Sequence, residues 1–187
     1  MEETLKKITE FAREAHGDQR RKFAPEPYIV HPIRVMELCR QHTNDIAVLA
    51  AALLHDVLED TSVTADQMED FLVTVLNEKQ AKQTGQLVIE LTDVYIKKNF
   101  PEWNRRKRRA KETERLSKAS GHAQTVKYAD IIDNSRDIVN AESDFARKYL
   151  EECLAIVKAM KQGNKDLYEK ALATVEECLE KVKIRYG

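Results

Sequence analysis

His55-Asp56 and Glu59-Asp60 close the most apolar segment of the chain. The run before them, Ile46-Ala47-Val48-Leu49-Ala50-Ala51-Ala52-Leu53-Leu54, holds no polar side chain and reads as a buried helix. Burying charge is expensive unless the group is paired or bound to a metal. On a helix, His55 and Glu59 are four apart, as are Asp56 and Asp60, so each pair lies on neighbouring turns of one face. One imidazole and one carboxylate, followed by two more carboxylates, suit a divalent metal and the water it activates. Taken alone, the same run also fits a helix C-terminus emerging into solvent.

Two further places offer donors of the same kind. His31 stands where an apolar segment, Tyr28-Ile29-Val30, meets Pro32. By itself it reads more readily as a structural hydrogen-bonder than as a ligand. Asp130, Asn134 and Asp137 recur at i, i+4 and i+7, which makes one stripe of their helix polar while Val126, Ala129 and Ile138 pack elsewhere. By itself that stripe reads as an ordinary solvated face. A basic run, Asn104-Arg105-Arg106-Lys107-Arg108-Arg109-Ala110-Lys111, admits a nucleic-acid patch, but pairing with Glu112 and Glu114 on a solvated helix is the better reading. A third reading lets its first residues neutralise a polyphosphate.

The elements that must hold these residues are helical. Leu5, Ile8, Phe11, Ala12 and Ala15 recur at three- and four-residue spacing, predicting a first helix to about residue 16. Pro25 and Pro27 forbid a helix between 17 and 30 and predict extended backbone at Tyr28-Ile29-Val30. Pro32 fits the first turn of a second helix. The apolar helix is expected from about 44 to 59 without interruption, followed by a short one capped by Thr64. Further helices are expected at about 78–94, 102–118, 123–140, 143–161 and 165–185.

The chain has 187 residues, four prolines and five glycines, and no β-type alternation bounded by turns, which predicts an all-α fold. Its length fits one domain spanning 1–187, with a core over about 4–160 and the helix at 165–185 packed on it. With 31 basic and 32 acidic residues the net charge is −1, so no global field favours nucleic acid or a membrane surface. Cys39, Cys153 and Cys178 are odd in number and lack CxxC spacing, so they read as reduced packing residues of a cytoplasmic protein. No window approaches the ~20 apolar residues of a membrane span, and no signal peptide is apparent.

Together, His31…His55-Asp56…Asp130 resembles the pattern of the HD phosphohydrolase superfamily. The likeness is greater to its (p)ppGpp hydrolase branch, the RelA/SpoT hydrolase domains and small alarmone hydrolases. It is carried by His16-Gly17-Asp18-Gln19-Arg20-Arg21-Lys22, Pro27-Tyr28-Ile29-Val30-His31-Pro32, Ala51-Ala52-Leu53-Leu54-His55-Asp56-Val57-Leu58-Glu59-Asp60-Thr61 and Val126-Lys127-Tyr128-Ala129-Asp130 with Asn134 and Arg136. The resemblance implies an HD-domain helical bundle in which His31, His55, Asp56 and Asp130 bind one divalent metal, usually Mn²⁺ in this branch. The mixed N/O donor set agrees with such an ion. It further implies that Glu59 and Asp60 serve the attacking water, and that Arg21, Lys22, Asn134 and Tyr149 contact the substrate.

The implied activity is hydrolytic removal of the 3′-pyrophosphate of (p)ppGpp, giving GDP or GTP and pyrophosphate. The partner is thus a small nucleotide, with no membrane and no nucleic acid. Some positions depart from the branch: Ile131 replaces a basic residue, Asp133 an aromatic one, and Thr92-Asp93-Val94-Tyr95 lacks a phosphate-binding lysine that Lys97 or Lys98 would have to replace. They leave room for another phosphorylated nucleotide such as NADPH. A catalytically silent nucleotide-binding module is the other alternative, and the intact Glu59-Asp60 pair speaks against it.

Overall fold

A computed structural model describes residues 1–186 and, among them, is entirely helical: α1 (Glu2–His16), α2 (Val30–Arg40), α3 (Ile46–Leu54), α4 (Val57–Asp60), α5 (Ala65–Val75), α6 (Glu78–Leu91), α7 (Arg105–Ser117), α8 (Gly121–Ile138), α9 (Ser143–Ala159) and α10 (Lys165–Tyr186). A single isolated bridge, Arg20 to Pro27, is the only β-type pairing among these residues. The chain divides into two compact units, one through Thr92 and one from Asp93.

In the first unit, α3 is the centre. Every residue from Ala47 to Leu54 is buried, as an element apolar on all sides must be. The helices α1, α2 and α6 pack around it. They present Leu5, Ile8 and Ala12, Val35 and Met36, and Leu87, Val88 and Leu91. Asp45 caps α3 by accepting the Ala47 N–H, and reciprocal boxes start α5 (Thr64 with Gln67) and α6 (Asn77 with Gln80).

Two local expectations are corrected. The helix foreseen over 44–59 is broken at His55-Asp56. Asp56 sits at φ −98°, ψ −6°, on the edge of helical space, and only one turn, α4, resumes beyond it. Side-chain contacts of Asp56 with Tyr28, His31 and His55 hold this bend against the helical preference of the flanking residues. Tyr28-Ile29-Val30 is not extended either. Val30 N–H bonds to Pro27 O and His31 N–H to Tyr28 O, so the chain turns directly into α2, with Pro32 in its first turn.

In the second unit, α10 packs on α8 and α9, and α7 packs on α9. Gln124 ties the start of α8 down: its amide donates to the carbonyls of Leu116, Ser117 and Ala119 and its oxygen accepts the Gln162 N–H. Gly163 allows that approach, since a Cβ there would lie 2.5 Å from the Tyr128 ring. Tyr128 is itself fixed by donating to Met160 O at 3.0 Å. These contacts hold α8, and with it Asp130, against the turn between α9 and α10.

Candidate metal centre

His31 projects from the first turn of α2, while His55 and Asp56 form the bend between α3 and α4. One donor atom from each lies within 4.8 Å of the other two. His55 Nε2 is 3.1 Å and His31 Nε2 is 3.5 Å from the same oxygen, Asp56 Oδ2. Both imidazoles are buried, and the Asp56 side chain is 18% exposed, so the cluster is reached from the carboxylate side.

The tautomer of His55 follows from its other nitrogen. Nδ1 lies 2.8 Å from Ala52 O, and a carbonyl only accepts, so Nδ1 carries the proton. In the neutral ring, Nε2 then turns a lone pair toward the carboxylate, a repulsion unless a cation lies between them. A cation between His55 and Asp56, a proton or a metal, relieves this repulsion, and with His31 beside them the donor set suits a divalent ion. Burial opposes ionisation of Asp56, but His55 and His31 outweigh it and hold the carboxyl well below the usual carboxylate range.

Tyr28 completes this arrangement. Its hydroxyl lies 2.6 Å from Asp56 Oδ2 and 2.8 Å from Asp60 Oδ2. Burial, with the charge of both carboxylates, pushes the phenol far above its ordinary range, so Tyr28 stays neutral. Asp60, at the end of α4, is pushed upward by burial and by the charge of Asp56. Glu59 is exposed on the same turn. Arg21 and Lys22 lie in the loop after α1, Arg21 with its guanidinium carbon 5.7 Å from the Tyr28 ring centre and Lys22 beside Phe23.

Asp130, Asn134 and Tyr149 belong to the second unit. Asp130 is 4% exposed in the middle of α8, with Lys127 Nζ at 2.8 Å and a hydrogen bond from the Asn134 amide. The stripe is therefore not the solvated face that its spacing alone suggested. Tyr149, on α9, is pushed well above its usual range by burial, then by Cys153 and the charge of Asp130. Of the divergent positions, Ile131 and Asp133 are buried, and Tyr95 stacks with Trp103 and lies tilted against Phe100.

The basic run divides its partners. Arg105 makes a two-pronged pair with Glu152, and Arg109 reaches both Asp93 and Glu152. Lys111 pairs with Glu114, as the sequence suggested. Glu112 does something else. It is buried and accepts the N–H groups of Val94 and Tyr95 besides pairing with Arg115, so it anchors the segment entering α7. Two residues thus acquire importance that their sequence context hid: Glu112, lost among charges, and Tyr28, whose only signal was its place three residues before His31. All three cysteines are free and buried.

Comparison with known proteins settles the ancestry. Residues 9–164 match the HD domain. The chain belongs to the HD-domain family. It is 34% identical over 182 residues to the guanosine-3′,5′-bis(diphosphate) 3′-pyrophosphohydrolase MESH1 of Mus musculus, covering 92% of this chain and 93% of that one. It is also 34% identical over 174 residues to MESH1 of Homo sapiens, covering 88% and 89%. Among solved structures, one described as a metazoan ortholog of SpoT that hydrolyzes ppGpp superposes with a TM-score of 0.75 at 26% identity, covering 98% of this chain and 96% of that one. This likeness extends beyond the HD-domain match to nearly the whole chain. No helix among the described residues is long and apolar enough to cross a membrane.

Proposed function

We propose that this HD-domain protein is a metal-dependent pyrophosphohydrolase that removes the 3′-pyrophosphate of (p)ppGpp. The observation that carries the reading is the His31–His55–Asp56 cluster, its imidazoles buried and its carboxylate partly exposed, found in a chain alignable almost end to end with MESH1 pyrophosphohydrolases. In this reading the two units act as one hydrolase domain in the cytoplasm. Asp130 enters as the fourth ligand on the sequence pattern His…His-Asp…Asp.

His31, His55 and Asp56 would hold a divalent metal, Mn²⁺ in this proposal, which when bound would supply a more acidic water and polarise a phosphoryl oxygen. His55 would offer Nε2, because Ala52 O occupies its Nδ1. Glu59, exposed one turn beyond Asp56, takes a proton from the attacking water. Asp60, held by Tyr28, orients that water. The water oxygen becomes bonded to phosphorus, the bond from phosphorus to the 3′ oxygen breaks, and that oxygen takes up a proton. The products are pyrophosphate and GDP or GTP.

Arg21 stacks on the base and Lys22 pairs with phosphate. Asn134 and Tyr149 hold the ribose-phosphate. The test is to strip the protein of metal, reload it with Mn²⁺ and incubate it with ppGpp. Equal release of GDP and pyrophosphate, dependent on Mn²⁺, is the expected result. Turnover of NADPH with none of ppGpp would overturn the substrate and keep the hydrolase. No hydrolysis of either would overturn the activity.

A further inference from the structure

We propose that Tyr28 is a positioning residue that couples the Arg21–Lys22 loop to the carboxylates Asp56 and Asp60. The inference rests on reading His31, His55 and Asp56 as the metal centre and Asp60 as a member of the catalytic pair.

Its first support is the geometry of one atom. The Tyr28 hydroxyl touches one oxygen of each carboxylate, at 2.6 Å and 2.8 Å. Asp56 precedes α4 and Asp60 ends it, and this helix is a single turn of four residues. So short a helix has little stability of its own, because nucleation is unfavourable and few bonds follow it. The Asp60 N–H bonds to Asp56 O at 2.8 Å along the main chain, but the two side chains are tied to each other from outside α4, by the Tyr28 hydroxyl that contacts both.

The second support is what holds Tyr28. His16, buried at the end of α1, stacks on its ring with centroids 4.4 Å apart. The Tyr28 N–H donates to Gln19 O at 2.9 Å, and the Arg21 N–H donates to Glu26 O at 3.0 Å. Arg21 also extends its guanidinium toward the Tyr28 ring. Gln19, from the same loop, donates its side-chain amide to Asp60 O at 2.7 Å, while its oxygen meets His16 Nδ1 at 2.9 Å. Asp60 is therefore held at its main chain by Gln19 and at its side chain by Tyr28.

Both holders belong to the segment that carries Arg21 and Lys22. A nucleotide base settling on Arg21 presses on a loop whose other contacts end at Asp56 and Asp60. Occupancy of the loop and alignment of the carboxylates are then one event, which makes base recognition count toward turnover as well as binding.

Tyr28→Phe is the test, since it keeps the ring stack with His16 and removes only the hydroxyl. Outer-shell partners of this kind are worth about 10- to 100-fold in metal affinity or activity. The expected result is a kcat for ppGpp lower by at least about 10-fold, Mn²⁺ affinity by calorimetry weaker by a similar factor, and KM within about twofold of wild type. Coupling to the loop is read from a double-mutant cycle. Arg21→Ala should lower kcat/KM by a smaller factor in the Tyr28→Phe background than in wild type. Equal factors would overturn the coupling, and a Tyr28→Phe protein with wild-type kcat and Mn²⁺ affinity would overturn the positioning role.

The two readings fail separately. If wild type does not hydrolyse ppGpp, the proposed function falls, and Tyr28 is judged on Mn²⁺ affinity alone, where an unchanged value refutes it and a weakened one supports it. Should Tyr28→Phe not fold, Gln19→Ala replaces it. That variant loses the bond to Asp60 O and should lower kcat without weakening Mn²⁺, whereas an unaltered kcat would refute the brace.

Discussion

Asp56 and Asp130 are two aspartates of one motif, and the fold treats them differently. Asp56 lies at a break between helices, and two of its contacts come from far along the chain, Tyr28 from a loop and His31 from α2, while the third is its neighbour His55. Asp130 lies inside an unbroken helix, beside Lys127 and Asn134 of the same helix. Convergence of distant donors on Asp56 is something only a tertiary fold produces. The neighbours of Asp130 follow from helical periodicity, three and four residues away. The first region therefore argues for a site by geometry, and the second depends on the sequence pattern that links it to the first.

The largest expected effect falls on the first region. Asp56→Ala removes the oxygen toward which both imidazoles turn, and neither Mn²⁺ binding by calorimetry nor ppGpp turnover should remain detectable. Next comes Glu59→Gln. It should retain Mn²⁺ while turnover drops by roughly 10²–10⁴, the range for a general acid–base group, and a variant as active as wild type would remove Glu59 from the mechanism.

Asp130→Asn sharpens the comparison. If Asp130 is a ligand, Mn²⁺ affinity falls by more than about 10-fold, the lower bound for groups that only support ligands. An unchanged affinity would confine the ion to the cluster of the first unit. The smallest effect is expected at Glu114, which is exposed between Lys111 and Lys118. Glu114→Gln should leave turnover and the melting temperature essentially unaltered, as solvent-screened pairs usually do.

Much of the fold is legible in apolar spacing. The unbroken run Ile46–Leu54 demands a buried helix, and Thr64 and Asn77 announce the starts of α5 and α6. The bend at His55-Asp56 is not legible, because nothing in Leu-Leu-His-Asp-Val-Leu-Glu stops a helix locally. It is held by tertiary contacts that no window of sequence contains. The same reason hides the turn at Tyr28-Ile29, where Pro25 and Pro27 suggest extended backbone.

For the site, the family resemblance names His31, His55 and Asp56, whose donor atoms converge, and Asp130, Asn134 and Tyr149, which lie in the second unit. The burial of Glu112 escaped notice because a charged residue in a charged run looks solvated until its partners, here two backbone amides, are known.

The central claim is that the His31–His55–Asp56 cluster holds the ion on which hydrolysis depends. The most direct measurement titrates Mn²⁺ into the stripped protein while following bound metal and ppGpp turnover in the same samples. The account predicts saturation at one equivalent, with GDP and pyrophosphate released in proportion to occupancy, and loss of both signals in His55→Ala. Turnover that is independent of Mn²⁺ occupancy, or one equivalent still bound tightly by His55→Ala, would contradict it.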